Sequence, residues 1–303
     1  MLTVLLLALA LDLSFGEPPN RWHPVAWIGR IIIVGQAWAP TRGQLPLISY
    51  GALLLVGGLL LVVLPIIVIT LALPGLEWGG IIIEALLLKL TFSLRGLFSA
   101  VNSIQQALIQ GNLEMARRLV GWHLVSRPSH DLSTDQVVSA TVESLAENLT
   151  DSVVAPLFFY LLLGLPGAWA FRVINTADSM LGYRDRGLEY LGKASARLDD
   201  LVNWIPARIA ALTIVLGAFL AGESGRGAWQ IMWRDHKLTA SPNAGWTMAA
   251  MAGALAVTLE KPGAYRLGGS ALPTVDAIPR AKRVAYVAVG CNIVISAAIL
   301  VLV

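Results

Sequence analysis

Charged residues are scarce in this chain of 303 residues. Only 14% of the residues are charged and 56% are hydrophobic, whereas a soluble domain usually carries about 25% charged residues. This deficit excludes an ordinary water-soluble surface. A formal net charge of only +3 does not indicate binding of nucleic acid. The single cysteine, Cys291, excludes an intramolecular disulfide.

The hydrophobic residues are concentrated in uncharged blocks. Residues 45–73 and 284–303 contain no charged residue, and each block reaches the length of about 20 residues that a helix needs to cross a bilayer. Weaker candidate spans cover residues 1–15, 81–101, 153–173, 201–221 and 244–259. The sequence therefore predicts an all-α, polytopic integral membrane helical bundle with roughly five to seven apolar segments.

The distribution of Arg and Lys predicts an orientation in the membrane. Residues 17–44 carry three Arg and residues 95–127 carry four, whereas the connection 74–80 carries none. Because cytoplasmic loops are enriched in Lys and Arg, we predict cytoplasmic segments near 17–44, 102–150 and 174–200. The span at 153–173 is also followed by basic residues, and Leu-Gly-Leu-Pro-Gly at 163–167 interrupts it, so it is a candidate re-entrant hairpin. Without repeats or linkers, residues 1–303 are predicted to form a single membrane-embedded catalytic domain.

Residues 131–171 contain five acidic residues and no Lys, Arg or His. Glu143, Glu147 and Asp151 follow one another at intervals of four and therefore share one face of a helix. Like charges at this spacing destabilise a helix by about 0.2–0.5 kcal/mol per pair, so positive charge is expected from outside the helix. It can come from a divalent metal, for which oxygen ligands favour Mg²⁺, or from arginines of another segment. The alternative is a solvated acidic face without a ligand.

Two further clusters combine carboxylate and amide oxygens. Asn175 and Asp178 are three residues apart, and Asp199 and Asp200 are followed by Asn203. An N-cap is the alternative role for Asp199. Basic residues that can pair with phosphate or anchor the cytoplasmic side accompany and follow the clusters: Arg172, Arg184, Arg186, Arg197, Arg208, Arg234 and Lys237.

A series of different short motifs extends along nearly the whole chain. They are Asp12, Glu17-Pro18-Pro19-Asn20, His23-Pro24-Val25, Ser126-Arg127, Glu143-Ser144, Ala146-Glu147-Asn148, Asp151, Asn175-Thr176, Asp178-Ser179-Met180, Ala196-Arg197-Leu198-Asp199-Asp200, Pro206-Ala207-Arg208 and Ser241-Pro242-Asn243-Ala244-Gly245. This ordered set resembles the adenosylcobinamide-phosphate synthase family of cobalamin biosynthesis. One departure is Pro128, where the family often has an acidic residue directly after Ser-Arg.

The resemblance implies a multi-pass enzyme of the cell inner membrane, surrounded by membrane lipid, that does not bind nucleic acid. Such enzymes join adenosylcobyric acid to (R)-1-amino-2-propanol O-phosphate, or to threonine phosphate, in an ATP-dependent amide ligation that yields adenosylcobinamide phosphate. The corrinoid is a substrate, and ATP and Mg²⁺ are the expected cofactors. Other membrane enzymes of late corrinoid assembly are candidate partners.

The resemblance also suggests roles for individual residues. Because a carboxylate must be activated before it accepts an amine, Mg²⁺ and positive charge are needed at the transferring phosphoryl group. The expected metal ligands are Glu143, Glu147, Asp178, Asp199 and Asp200. The expected catalytic residues are Glu143, Glu147, Asp151 and His123, of which Asp151 or His123 would be the base for the incoming ammonium. The expected substrate and phosphate ligands are Arg21, His23, Arg127, Asn175, Arg184, Arg197, Arg208, Arg234, Lys237 and Asn243.

Two other functions are compatible with these residues. A Mg-dependent membrane prenyl or alcohol-phosphate transferase also uses Asp and Asn clusters, although its acidic motif is normally denser than the pair Asn175 and Asp178. A corrinoid-binding or transport protein would use acids within the membrane for ion coupling. Only Asp12 and Glu84 lie within the predicted spans, so the sequence favours the ligase.

Overall fold

The computed structural model describes residues 1–125, 129–182 and 188–302 and is 76% helical. The α-helices are α1 (Leu2–Phe15), α2 (Pro24–Ala37), α3 (Gln44–Ala72), α4 (Trp78–Lys89), α5 (Leu94–Ile109), α6 (Leu113–His123), α7 (Thr134–Leu149), α8 (Ala155–Leu181), α9 (Lys193–Val202), α10 (Trp204–Leu220), α11 (Gly225–Asp235), α12 (Ala244–Leu255) and α13 (Ala277–Leu302). A 3₁₀ turn, Leu73–Leu76, follows α3, and a π-helical turn, Thr150–Val154, joins α7 to α8.

Three helical segments of the described chain are long and apolar enough to cross a membrane: Gln44–Leu76, Thr134–Leu181 and Ala277–Leu302. A fourth is formed if α9 and α10, which are bent by 49° at Asn203, are counted as one broken span. The shorter helices α1 and α2 are also apolar. These segments confirm the predicted all-α membrane bundle, with a small antiparallel hairpin as its one observed addition within the described residues.

Two of the weaker span predictions were wrong in their boundaries. The segment predicted at 81–101 is divided, because α4 ends at Lys89 and α5 begins only at Leu94. The segment predicted at 244–259 stops at Leu255, where Ala256 adopts a left-handed conformation with φ 56°. The chain then forms strand β1 (Thr258–Lys261), which pairs antiparallel with β2 (Tyr265–Gly268).

The direction of the α8 helix axis reverses at Gly164. This residue has φ 66° and ψ −159°, a region that is essentially restricted to glycine. The Phe159 and Phe171 rings stack with centroids 5.6 Å apart, although twelve residues of straight helix would separate their backbones by about 18 Å. A Cβ placed on Gly167 would lie 2.5 Å from the Phe159 carbonyl oxygen. The residues on either side of Gly164 are therefore two helical arms that fold against each other, as a re-entrant hairpin requires.

Gly164→Ala is expected to destabilise the protein by about 1–3 kcal/mol, because a Cβ is strained in this backbone conformation. The measurement is thermal unfolding of the purified protein in detergent. Gly57→Ala in α3 is the matched control, since no atom lies within 4 Å of a Cβ at Gly57 and alanine is favoured over glycine inside a helix. Equal unfolding temperatures for both variants would contradict the assigned reversal.

The described helices pack into two compact units. The first unit comprises Met1–Ser93, Ala155–Asn203 and the chain from Ser296 onward, and in it α3 packs on α8 and α9, α2 on α8, and α1 on α4. The second unit comprises Leu94–Val154 and Trp204–Ile295, and in it α12 packs on α11, α10 and α7. The single catalytic domain and its cytoplasmic segments near 17–44, 102–150 and 174–200 remain predictions.

Candidate functional site

In the first unit, a polar network joins α8 to α9. Asn175 Nδ2 donates to Asp199 Oδ1 at 3.4 Å, and Asn203 Nδ2 donates to Asp199 Oδ2 at 3.0 Å. Arg172 Nη1 donates to Asn175 Oδ1 at 3.3 Å. Two clusters that are separate in the sequence, Asn175 with Asp178 and Asp199 with Asp200, thus meet through the contact between Asn175 and Asp199. We call Arg172, Asn175, Asp199 and Asn203 the α8–α9 network.

The oxygen atoms of this network suit a cation. Asn203 is only 3% exposed, and its Oδ1 atom is buried without a hydrogen-bond partner among the described residues. A buried carbonyl oxygen without a donor is unfavourable, and here it belongs to the residue that holds the Asp199 carboxylate. Carboxylate and amide oxygens are ligands of hard divalent cations. The donor chemistry therefore fits the predicted Mg²⁺.

The acidic residues next to this network differ in their environment. Asp178 is partly exposed and lies one turn before Gly182, whose N–H donates to the Asp178 carbonyl at 2.7 Å. Asp200 is also partly exposed. In the described part of the chain, no three His, Cys, Asp or Glu side chains form a group that could hold a metal ion. A magnesium ion here would therefore need oxygen atoms from amides, water or a ligand to complete its coordination.

A second network of the first unit lies at the junction of α1, α2 and α4. Lys89 Nζ is 3.1 Å from Glu17 Oε2 and 3.7 Å from Asp12 Oδ1. His23 Nε2 is 2.5 Å from Glu17 Oε2, and His23 Nδ1 accepts the Val25 N–H at 3.2 Å and so caps α2. Burial alone would raise the pKa of Glu17, but His23 and Lys89 lower it below its usual range. The predicted ligand His23 is thus engaged within the protein.

Lys89 is a polar residue of this network that hydropathy did not single out. It lies in a segment predicted only as an apolar span, yet it is 5% exposed and contacts Asp12, which is fully buried. The signal was present, because an ionisable residue inside an apolar segment usually has a partner or a function. Near this network the other predicted ligand, Arg21, lies over the Trp22 ring at 5.8 Å and is exposed.

In the second unit, Glu143 is buried between α7 and the β-hairpin. It is 4% exposed, and its carboxylate accepts the Ser139 hydroxyl at 2.6 Å and the Tyr265 hydroxyl at 2.5 Å. Ser139 Oγ in turn accepts the Glu260 N–H of β1 at 2.7 Å. The hairpin, which was not predicted from the sequence, therefore supplies a hydrogen-bond donor to a predicted metal ligand.

The other predicted acids and the predicted base on α6 and α7 are more accessible. Glu147 is exposed, whereas Asp151 lies in the π-helical turn and is partly exposed. His123 is exposed at the end of α6, next to Leu124, whose carbonyl accepts the Ser144 hydroxyl at 3.2 Å. Glu143 and Glu147 share a helical face, as predicted, but differ in burial because the hairpin covers only Glu143.

Arg208 and Asn243 come together in the second unit. Arg208 Nη1 donates to Asn243 Oδ1 at 3.0 Å and to the Trp204 carbonyl at 2.6 Å. Its guanidinium lies over the Trp204 ring at 4.3 Å and over the Trp246 ring at 4.8 Å. Both Arg208 and Asn243 are predicted ligands, but the two indoles that surround the arginine were not predicted.

Arg234 is paired within the protein. Its Nε and Nη2 atoms donate to the Asp235 carboxylate at 2.6 and 2.8 Å, and the Gly268 N–H donates to Asp235 Oδ2 at 2.8 Å. Burial alone would raise the pKa of Asp235, but these donors and the Arg234 charge lower it below its usual range. The group joins α11 to the β-hairpin, so Arg234 has a structural partner in addition to its predicted role.

Asp235→Asn is expected to reduce stability by about 1.5–3 kcal/mol at neutral pH, because charge-assisted hydrogen bonds are lost. Since the pKa is lowered in the folded state, the contribution is complete above the unfolded value of about 3.9 and disappears as the pH falls through the folded value. The difference in unfolding temperature from wild type should therefore shrink at about pH 3. Asp131→Asn is the control, because that carboxylate is 90% exposed. A difference that does not change with pH would contradict the ionic role.

The remaining predicted ligands contribute less to the geometry. Arg197 on α9 and Lys237 after α11 are exposed. Arg127 and Arg184 lie outside the described residues.

The chain is similar to known proteins over most of its length. The family described as CobD/Cbib protein matches residues 5–290. The chain is 44% identical over 274 residues to "Cobalamin biosynthesis protein CobD" of Dehalococcoides mccartyi strain CBDB1, covering 90% of this chain and 88% of that protein. It is 44% identical over 266 residues to "Probable cobalamin biosynthesis protein CobD" of Methanothermobacter thermautotrophicus, covering 88% and 86%. It is 40% identical over 286 residues to "Cobalamin biosynthesis protein CobD" of Geobacter metallireducens, covering 90% of this chain and 85% of that protein. No solved structure matches the chain.

Proposed function

Because the chain belongs to the CobD/Cbib family and so has a role in cobalamin biosynthesis, we propose that it is the amide ligase that forms adenosylcobinamide phosphate. It would join the free carboxyl of adenosylcobyric acid to the amine of (R)-1-amino-2-propanol O-phosphate, or of threonine phosphate, at the expense of ATP. It would act as a multi-pass protein of the cell inner membrane, in contact with lipid and with other membrane enzymes of late corrinoid assembly.

The α8–α9 network is the observation that carries this proposal. It offers a carboxylate, Asp199, oriented by two amides, and a buried amide oxygen, on Asn203, without a donor among the described residues. These atoms suit the magnesium of a Mg–ATP substrate, with Asp178 and Asp200 nearby in sequence and phosphate oxygens completing the coordination. Bound magnesium would neutralise charge on the phosphates during carboxylate activation.

The chain's own residues would supply the remaining requirements. Arg172 is oriented by Asn175 and would place positive charge beside the network. In the second unit, Arg208 would bind a phosphate and Asn243 would hold Arg208 in place. Asp151 or His123 would accept the proton that the incoming ammonium must lose before it attacks. Glu143, Glu147, Arg197, Arg234 and Lys237 keep their predicted ligand roles as proposals, as do Arg21, His23, Arg127 and Arg184.

The test is an assay of the purified protein in detergent or nanodiscs with adenosylcobyric acid, Mg–ATP and aminopropanol phosphate. We expect a product whose mass equals the corrinoid plus the amino-alcohol phosphate minus water, and ADP or AMP in equal amount. Omission of ATP is the control for uncatalysed coupling. Product formed from a prenyl diphosphate, or corrinoid flux across proteoliposomes without ATP turnover, in place of ligation would reject the proposal.

A further inference from the structure

The guanidinium of Arg208 lies over the rings of two tryptophans. The centroids of the Trp204 and Trp246 rings lie 4.3 and 4.8 Å from its central carbon. The two hydrogen bonds that Arg208 donates to described residues both leave from Nη1, towards the Trp204 carbonyl and Asn243 Oδ1. Nε and Nη2 make no hydrogen bond to a described residue, so this edge of the guanidinium is where a further acceptor can bind.

The partners of Arg208 are neutral. In the described chain no carboxylate lies within 4.0 Å of it, whereas Arg234 of the same unit is paired with Asp235 and Arg280 is paired with Glu223. A partly buried cation without a counter-charge is unfavourable unless an anion binds to it. The two aromatic rings beside it compensate only part of this cost.

A second donor without a partner accompanies the arginine. Trp246 is 9% exposed, and its Nε1–H is buried with no acceptor among the described residues. The same ring contacts the His236 ring, tilted by 34° with centroids 4.0 Å apart, and the edge of Trp233 at 5.1 Å, so its orientation is fixed. Buried indole N–H groups usually have an acceptor. This N–H donor belongs to the same indole ring over which Arg208 lies.

We propose that Arg208, held against Trp204 and Trp246, is a preoriented fork for one phosphate group, and that the two indoles are positioning residues for it. A planar guanidinium binds phosphate through two parallel hydrogen bonds, and it does so best when its plane is already fixed. The inference rests on the proposed function, because that function supplies two phosphate compounds, the amino-alcohol phosphate and ATP. A lipid headgroup is a third source of phosphate. These three sources share one chemistry and are separated by experiment.

The test measures binding without turnover. Isothermal titration in phosphatidylcholine nanodiscs, with no corrinoid present, gives the dissociation constants of aminopropanol phosphate and of Mg–ATP. A parallel series with phosphatidylglycerol nanodiscs shows whether anionic lipid competes for the site. Arg208→Lys keeps the charge but removes the fork, and we expect it to weaken binding of one phosphate compound by about 10- to 100-fold.

Trp204 gives the sharper variant because its side chain is exposed and its loss does not open the core. Trp204 is 54% exposed, and we expect Trp204→Leu to weaken the same compound by about 5- to 30-fold while Trp204→Phe largely retains its binding. Trp246→Phe removes the N–H and should also weaken it. Trp229→Leu is the matched control, because Trp229 is 45% exposed and packs on Trp233 but does not contact Arg208.

The compound whose affinity changes identifies the source of the phosphate. The proposal is overturned if the wild-type protein binds none of the three phosphate sources, if Arg208→Lys and Trp204→Leu bind all of them as wild type does, or if Trp229→Leu weakens binding as much as Trp204→Leu. Failure of the fork is distinguishable from failure of the ligase. Binding of aminopropanol phosphate through Arg208 without amide formation would support the fork and reject the ligase. Normal ligation with unchanged KM in Trp204→Leu would reject the fork and leave the ligase proposal intact.

Discussion

Asp199→Asn should lower the rate of amide ligation by about 100-fold, the effect expected when a group that orients or binds a metal is lost. The substitution keeps the shape of the side chain and removes its charge. Asp199 accepts hydrogen bonds from the amides of Asn175 and Asn203, and no cation of the described chain neutralises it. If this charge meets the magnesium of Mg–ATP, the variant should need a higher Mg²⁺ concentration for half-maximal activity.

Two further variants separate the role of Asp199 from a general loss of charge. Asn203→Ala removes the amide that holds the carboxylate and is expected to reduce activity by about 10-fold. Glu114→Gln removes an exposed carboxylate that pairs with Arg118 on α6, and it should leave activity unchanged. Full activity of Asp199→Asn with an unaltered Mg²⁺ requirement would reject the metal assignment.

Lys89→Met should destabilise the protein by about 3–5 kcal/mol, because it removes the buried cation that is paired with Asp12 and Glu17. Asp12 is fully buried, and Glu17 is the nearer partner of the ammonium at 3.1 Å. Methionine is similar to lysine in length, so the loss would come from the charge and not from a cavity. Thermal unfolding in detergent measures it, and Lys193→Met on the exposed side of α9 is the control.

The double variant Asp12→Asn with Lys89→Met gives the coupling between the two residues. We expect it to be less destabilised than the sum of the single variants, because both substitutions remove the same contact between Asp12 and Lys89. A loss equal to the sum would mean that Asp12 and Lys89 act independently, and the ionic network would then consist of Lys89, Glu17 and His23 without Asp12.

Most of the fold could be predicted because the longest helices have a simple compositional signal. Most of the uncharged block 45–73 lies in α3, residues 284–302 lie in α13, and the Leu-Gly-Leu-Pro-Gly segment contains the break at Gly164. Hydropathy failed where tertiary contacts decide the conformation. Residues 81–101 are apolar over most of their length, but the division into α4 and α5 coincides with Lys89, which turns inward to two acids. The hairpin after Ala256 depends on Ser139 and Glu143, more than 100 residues away along the chain.

The family resemblance is confirmed, whereas the roles of individual residues remain predictions. Sequence spacing correctly indicated that Glu143 and Glu147 share a face, because both lie on one helix. It could not show that Asn175 contacts Asp199, since these residues lie on different helices and only packing brings them together. Nor could it distinguish Arg208 from Arg234, although one lies over two indole rings and the other is paired with a carboxylate.

The reversal at Gly164 has a consequence for the parity of membrane crossings. A segment that turns back on itself adds either none or two to the number of crossings, whatever depth it reaches. As such a hairpin, residues 155–181 would leave the sidedness of everything that follows unchanged, although hydropathy alone counts them as one crossing. An odd crossing at this point would invert the compartment predicted for α9 and its acids, whereas the fold-back that stacks Phe159 on Phe171 agrees with the predicted compartment.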